Sequence, residues 1–148
     1  MAVRATSRTN AGQVAGAGGE AAGGVAGIGT DLVEVARLQK SLERTRSFAE
    51  RVFTKGERDY CSKRARGAAE AFAARFAAKE AFLKAVGCGI FDGIPLTQIE
   101  VVNEPSGEPR LVLGPAARKA MQARGGTDAL LTLSHAGGNA VAFVVVRR

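Results

Sequence analysis

Glu80 and Lys84 lie four residues apart in Phe72–Val86, FAARFAAKEAFLKAV, a stretch of strong helix formers with no glycine or proline. On a helix the two share a face, and Phe76 lies one turn before Glu80 on that side. A carboxylate and an ammonium therefore sit at the edge of an apolar stripe formed by Phe72, Phe76 and Leu83. Taken alone, this is an ordinary i,i+4 pair on a solvated face, worth about 0.2–0.5 kcal/mol. Asp31 closes the string Val25-Ala26-Gly27-Ile28-Gly29-Thr30-Asp31, and its simplest role is the N-cap of a helix carrying Leu32, Val35, Leu38 and Leu42 on one face. His135, the single histidine, follows Ser134 at the end of a strand. Its simplest role is packing or turn capping, and no Asp or Glu beside it supports a Ser–His–Asp triad.

The elements that must position these residues follow from the pattern. Met1 to Gly24 is mostly Ala, Gly, Thr and Ser, too poor in large apolar groups to offset the entropy of ordering, and is expected to be a disordered extension. It has no continuous apolar run of the kind a signal peptide needs. Residues 25–148 are expected to form one domain. Val25 to Asp31 reads as a short buried strand whose two glycines allow close backbone packing. The helix after it carries Arg37, Lys40 and Arg44 as a basic stripe, extended by Arg46 and Arg51. Thr54-Lys55-Gly56-Glu57 is a capping box opening a short helix through Tyr60, and Lys63 to Gly67 is a basic loop. The central helix runs from about Ala69 to Val86 and stops at Gly87 and Gly89.

The second half changes period. Thr97 to Val102 and Arg110 to Leu113 form a hairpin around the turn Pro105-Ser106-Gly107-Glu108-Pro109. Gly114-Pro115 opens a helix that Gly125-Gly126 closes. Leu130 to His135 and Ala140 to Val146 form a last strand pair. Strands and helices are segregated, so the fold class is α+β: a small antiparallel β-sheet packed against a long central helix.

Composition narrows the function. The 148 residues include 21 basic and 14 acidic side chains, a net charge of +7, which calls for an acidic partner such as a phosphorylated ligand, an acidic protein, nucleic acid or an anionic membrane. The two cysteines, Cys61 and Cys88, have no CxxC spacing. That argues against a zinc site or disulfide framework and suits a reducing cytoplasm. No apolar run is long enough to span a bilayer.

Three stretches taken in order carry more than any one of them. GIGTDLVEVAR at 27–37, RFAAKEAFLK at 75–84 and LSHAGGNAVA at 133–142 together resemble the holo-acyl-carrier-protein synthase family of phosphopantetheinyl transferases, from about Val25 to the end of the chain. The resemblance implies a cytoplasmic enzyme that moves 4'-phosphopantetheine from coenzyme A to a serine of apo acyl carrier protein, leaving adenosine 3',5'-bisphosphate. It implies Mg²⁺ held by Asp31 and Glu80, and Lys84, His135 and Arg75 against the phosphates of coenzyme A, with Glu80, Lys84 and His135 catalytic. It implies docking of the acidic carrier protein on Arg37, with Lys40 and Arg44 beside it. It also implies a homotrimer with coenzyme A bound between subunits, and neither nucleic acid nor membrane as a partner.

The chemistry is compatible with that resemblance. Mg²⁺ commonly takes one or two carboxylates plus substrate phosphate oxygens and water, and fixed cations stabilise charge developing at phosphorus. The nucleophile belongs to the carrier protein, so none need stand out here. The base that deprotonates it is open between Glu80 acting through a metal-bound water and His135. Ala136, after the SH histidine, stands where several family members carry a polar residue considered for proton transfer, so that role is absent here. The competing reading is a small basic nucleic-acid-binding module without catalysis. The few aromatics, mostly Phe at core-like spacing, leave little for base stacking. A scaffold that kept the fold and lost activity is a further alternative, opposed by the intact Asp31, Glu80, Lys84 and His135.

Overall fold

A computed structural model describes residues 23–148, so the Ala/Gly-rich extension expected over Met1–Gly24 lies almost wholly outside the described residues. In chain order the elements are β1 (Val25–Glu34), α1 (Val35–Arg44), α2 (Arg46–Val52), α3 (Lys55–Ser62) and α4 (Ala68–Val86). A 3-10 turn (Leu96–Gln98), β2 (Ile99–Asn103), β3 (Pro109–Leu113), α5 (Pro115–Ala123), β4 (Asp128–Ala136) and β5 (Asn139–Arg147) follow. β1, β5 and β4 form an antiparallel sheet in that order, while β2 and β3 form a separate hairpin. The α+β class and the central helix agree with the sequence expectation.

The sheet and α4 pack unusually closely, because both contact surfaces are made of small residues. On α4, Ala73, Ala77, Ala78, Ala81 and Ala85 are buried, and on β5 Ala140 and Ala142 face them. On β1, a Cβ at Gly27 would overlap the carbonyl oxygen of Ala85, and one at Gly29 that of Ala81. Only glycine permits this approach, which is the role its spacing suggested. Elsewhere Phe53 and Phe72 meet edge to face at 4.9 Å, and Phe48 and Phe76 pack at 6.4 Å.

Three local expectations are corrected. Asp31 is not an N-cap. β1 continues past it to Glu34, paired with β5 at every step from Gly27 onward, so the backbone here is spent on an extended ladder rather than on a helix start. α1 begins at Val35, whose N–H bonds the carbonyl of Gly138 in the β4–β5 turn. Thr97 belongs to the 3-10 turn rather than to β2. And α4 does not present one apolar stripe: Lys79, Phe82, Leu83 and the alanines bury it on most sides.

Among the described residues nothing covers the sheet's other face. Alternation along the strands sends Ile28, Leu32, Leu130 and Phe143 away from α4. Their exposures of 62%, 64%, 49% and 44% make an apolar surface, of the kind that marks an association site.

Candidate active site

Asp31 reaches the site from β1, on the sheet face that also carries Gly27, Gly29 and Val33 toward α4. Glu80 reaches it from the middle of α4, one residue before Ala81, whose backbone Gly29 abuts. The close strand–helix contact thus brings together two carboxylates 49 positions apart in the chain. They line one cleft of about 690 Å³ with Glu34, Arg37, Phe76 and Ile90.

Lys84 does not pair with Glu80 as its i,i+4 spacing suggested. Its ammonium donates to Asp31 Oδ1 at 2.8 Å and to the Thr30 carbonyl at 2.9 Å, so it holds the strand rather than its own helix. Lys84 is itself 43% exposed, which keeps the pair modest in energy.

Among the described residues Glu80 has no donor: its Oε1 is buried and meets no hydrogen-bond partner there. Burial, then the Asp31 charge, pushes its carboxyl up to about 7, with Lys84 acting in the opposite sense. A buried carboxylate oxygen without a donor is a cost unless something binds it. A hard cation between Asp31 and Glu80 would meet that need. Among the described residues no group of three or more His, Cys, Asp or Glu side chains converges. Two carboxylates, with the remaining positions left to phosphate oxygens and water, suit Mg²⁺ and do not suit a closed structural zinc site.

The other expected site residues fall in three places. Arg37, Lys40 and Arg44 are exposed along α1, and Arg37 borders the cleft. His135 is exposed on the edge strand β4, in register with Ala140 and, across β5, with Val33. Two inter-strand steps of about 4.8 Å and a further two residues separate it from Asp31, so one chain does not bring it to the Asp31–Glu80–Lys84 cluster. Arg75 is likewise not brought there. It is five residues before Glu80, a turn of roughly 140° beyond one full revolution of the helix. Its guanidinium is buried over the Tyr60 ring at 4.0 Å and donates to Asn103 Oδ1 at 2.7 Å.

Sequence reasoning missed the one fully buried charged pair among the described residues. Lys79 and Glu57 are both without exposed side-chain surface and meet at 2.8 Å. The capping box was legible and is formed, with Glu57 accepting from the Thr54 N–H and Thr54 Oγ1 from the Glu57 N–H. The second role of Glu57 was not. A lysine amid alanines and phenylalanines was the only signal for it.

Comparisons with known proteins converge on one family. Residues 27–143 match the family described as the 4'-phosphopantetheinyl transferase superfamily. The holo-[acyl-carrier-protein] synthase of Trichlorobacter lovleyi is 46% identical over 123 residues, covering 82% of this chain and 97% of its own. The crystal structure of the Neisseria meningitidis holo-[acyl-carrier-protein] synthase superposes with a TM-score of 0.74 at 33% identity, covering 84% of this chain and 99% of its own. The Helicobacter pylori synthase, solved in complex with coenzyme A, gives a TM-score of 0.69 at 30% identity over 80% of this chain and 98% of its own.

Proposed function

The chain belongs to the 4'-phosphopantetheinyl transferase superfamily as a holo-acyl-carrier-protein synthase, and on that premise we propose that Asp31, Glu80 and Lys84 are its reaction centre. The enzyme transfers 4'-phosphopantetheine from coenzyme A to a serine of apo acyl carrier protein. In the balanced step the serine oxygen forms a bond to the β-phosphorus of coenzyme A, and the bond from that phosphorus to the bridging oxygen breaks. Adenosine 3',5'-bisphosphate leaves with the electron pair, and the serine proton is released.

The observation that carries the site assignment is the buried Glu80 Oε1, without a donor among the described residues, at a cleft that Asp31 also lines. Asp31 and Glu80 would hold Mg²⁺, which when bound polarises the diphosphate oxygens and stabilises the departing phosphate. Lys84 has two parts to play. It fixes Asp31 through its Oδ1 bond, and its exposed ammonium offers positive charge to the diphosphate without needing to move. Phe76 and Ile90 keep part of the cleft apolar, which strengthens every charge interaction inside it.

The basic stripe of Arg37, Lys40 and Arg44 is the docking surface for the acidic carrier. Arg37 borders the cleft, so a carrier seated on α1 presents its serine at the cleft mouth. The sheet face left uncovered among the described residues supports assembly. Ile28, Leu32, Leu130 and Phe143 would be buried against further copies in a homotrimer, with sites between subunits. There the exposed His135 and the basic surface of one subunit serve the phosphates of coenzyme A bound at the next. Among the described residues both cysteines are free and no helix is long and apolar enough to cross a membrane, in keeping with a cytoplasmic site of action.

Intact mass of an apo acyl carrier protein, incubated with this enzyme, coenzyme A and Mg²⁺, tests the whole reading. The mass rises by one phosphopantetheine. Glu80→Gln and EDTA each abolish the gain. A gain that persists in both would remove the metal assignment, and no gain with several apo carriers would remove the activity.

A further inference from the structure

Lys79 stands next to Glu80 on α4 but faces elsewhere. Its three ammonium donors meet three acceptors: Glu57 Oε2 at 2.8 Å, the Leu96 carbonyl at 2.9 Å and the Ile99 carbonyl at 2.5 Å. Glu57 is satisfied in turn, accepting from the Thr54 N–H at Oε2 and from the Val101 N–H at Oε1, both at 2.9 Å. One charge pair therefore ties the start of α3, the 3-10 turn and β2 to the middle of α4.

Neighbouring helix residues point about 100° apart, so Lys79 enters this knot while Glu80 enters the cleft. On the cleft side α4 is stopped by the backbone at Gly27 and Gly29. Close packing there limits how near the helix comes, but small apolar surfaces do not fix its rotation. Directional hydrogen bonds do. A carboxylate that must meet a cation needs placing to within about 0.5 Å. A well-packed apolar pair in place of Glu57 and Lys79 would serve stability as well, so stability alone does not account for them.

We propose that Glu57 and Lys79 are positioning residues that set the rotation and axial register of α4, and so the place of the Glu80 carboxylate in the metal site. This rests on Glu80 being a metal ligand, and the test separates the two ideas. Mn²⁺ binding is followed by electron paramagnetic resonance with coenzyme A present and no carrier protein, for the wild type, Glu80→Gln and the double variant Glu57→Gln/Lys79→Met. The double variant is expected to keep its circular dichroism spectrum and bind Mn²⁺ at least about tenfold more weakly, the loss typical of residues that orient metal ligands. A folded double variant that holds Mn²⁺ within about twofold of the wild type overturns the proposal. A wild type that binds no better than Glu80→Gln fails the metal assignment instead, and the proposal with it.

A reciprocal measurement needs no variant. If the pair supports metal binding, binding must tighten the pair by linkage. Adding Mg²⁺ to the wild type with coenzyme A should slow hydrogen exchange at the Val101 amide and the Lys79 ammonium. Unchanged exchange at both, in a protein that binds the metal, overturns the proposal even if the double variant does not fold.

Discussion

Lys79 and Glu80 are consecutive residues of one helix with opposite fates. Lys79 has no exposed surface, three hydrogen-bond acceptors and a carboxylate partner that is itself fully used. Glu80 is partly buried, has an oxygen with no donor among the described residues and lies near a second carboxylate. Burial lowers the pKa of the Lys79 ammonium while Glu57 pulls it back, and burial raises that of the Glu80 carboxyl while Asp31 pushes it further. The first arrangement is closed to any ligand. The second is a deficit that a bound cation or a proton relieves. Two charges withdrawn from water thus divide into architecture and chemistry according to whether their partners are inside the chain.

The largest test of that division is Lys79→Met. It leaves Glu57 charged and unpaired in the core, which costs about 3–5 kcal/mol, read as a lower midpoint in urea unfolding. Glu80→Gln should do the opposite. It leaves stability unchanged or raised at pH 8, because no internal partner is lost, while carrier modification falls roughly 10²–10³-fold, about 3–4 kcal/mol in the barrier. A Glu80→Gln protein as unstable as Lys79→Met would erase the distinction between the two sides of α4.

Gly29→Ala probes the boundary between them. The added methyl overlaps the Ala81 carbonyl, so α4 must shift beside Glu80. An overpacking cost of about 1–3 kcal/mol is expected, with metal binding weakened in the folded fraction. The last test is in pH. The Glu80 carboxyl is raised from 4.5 to about 7 by folding, so its contribution to stability is fully present below 4.5 and is lost as pH rises through 7. In metal-free protein the thermal midpoint of the wild type should therefore fall relative to Glu80→Gln between pH 5 and pH 8. A difference that does not change with pH would mean that Glu80 is not desolvated as its surroundings require.

The legible parts were those where local chemistry decides. The capping box at Thr54, the stop at Gly87 and the Pro115 helix start each use interactions within a few residues, and each formed as expected. The Gly-rich approach at Gly27 and Gly29 was also legible, since glycine in a strand has few other uses. The misreadings that bear on the site were non-local. Asp31 has the residue type of an N-cap, but the pairing of β1 with a strand more than a hundred residues away extends it to Glu34. Lys84 has the spacing of a partner for Glu80, yet Thr30 and Asp31 offer it two oxygens at once. The charged pair of Glu57 and Lys79 spans 22 residues and has no periodic signature.

By itself the sequence determined the helix and strand types, the α+β class, and the residues able to do the chemistry, because propensity, capping and resemblance depend on order along the chain. Tertiary structure alone decided which charges meet. It turned Lys84 to Asp31, sent Lys79 and Arg75 into the core, left His135 on an edge strand, and left one Glu80 oxygen without a donor among the described residues. The physical reason is that a buried charge is settled by whichever polar atoms the packed backbone brings within about 3 Å. That set is fixed only when β1, β5 and α4 close on one another.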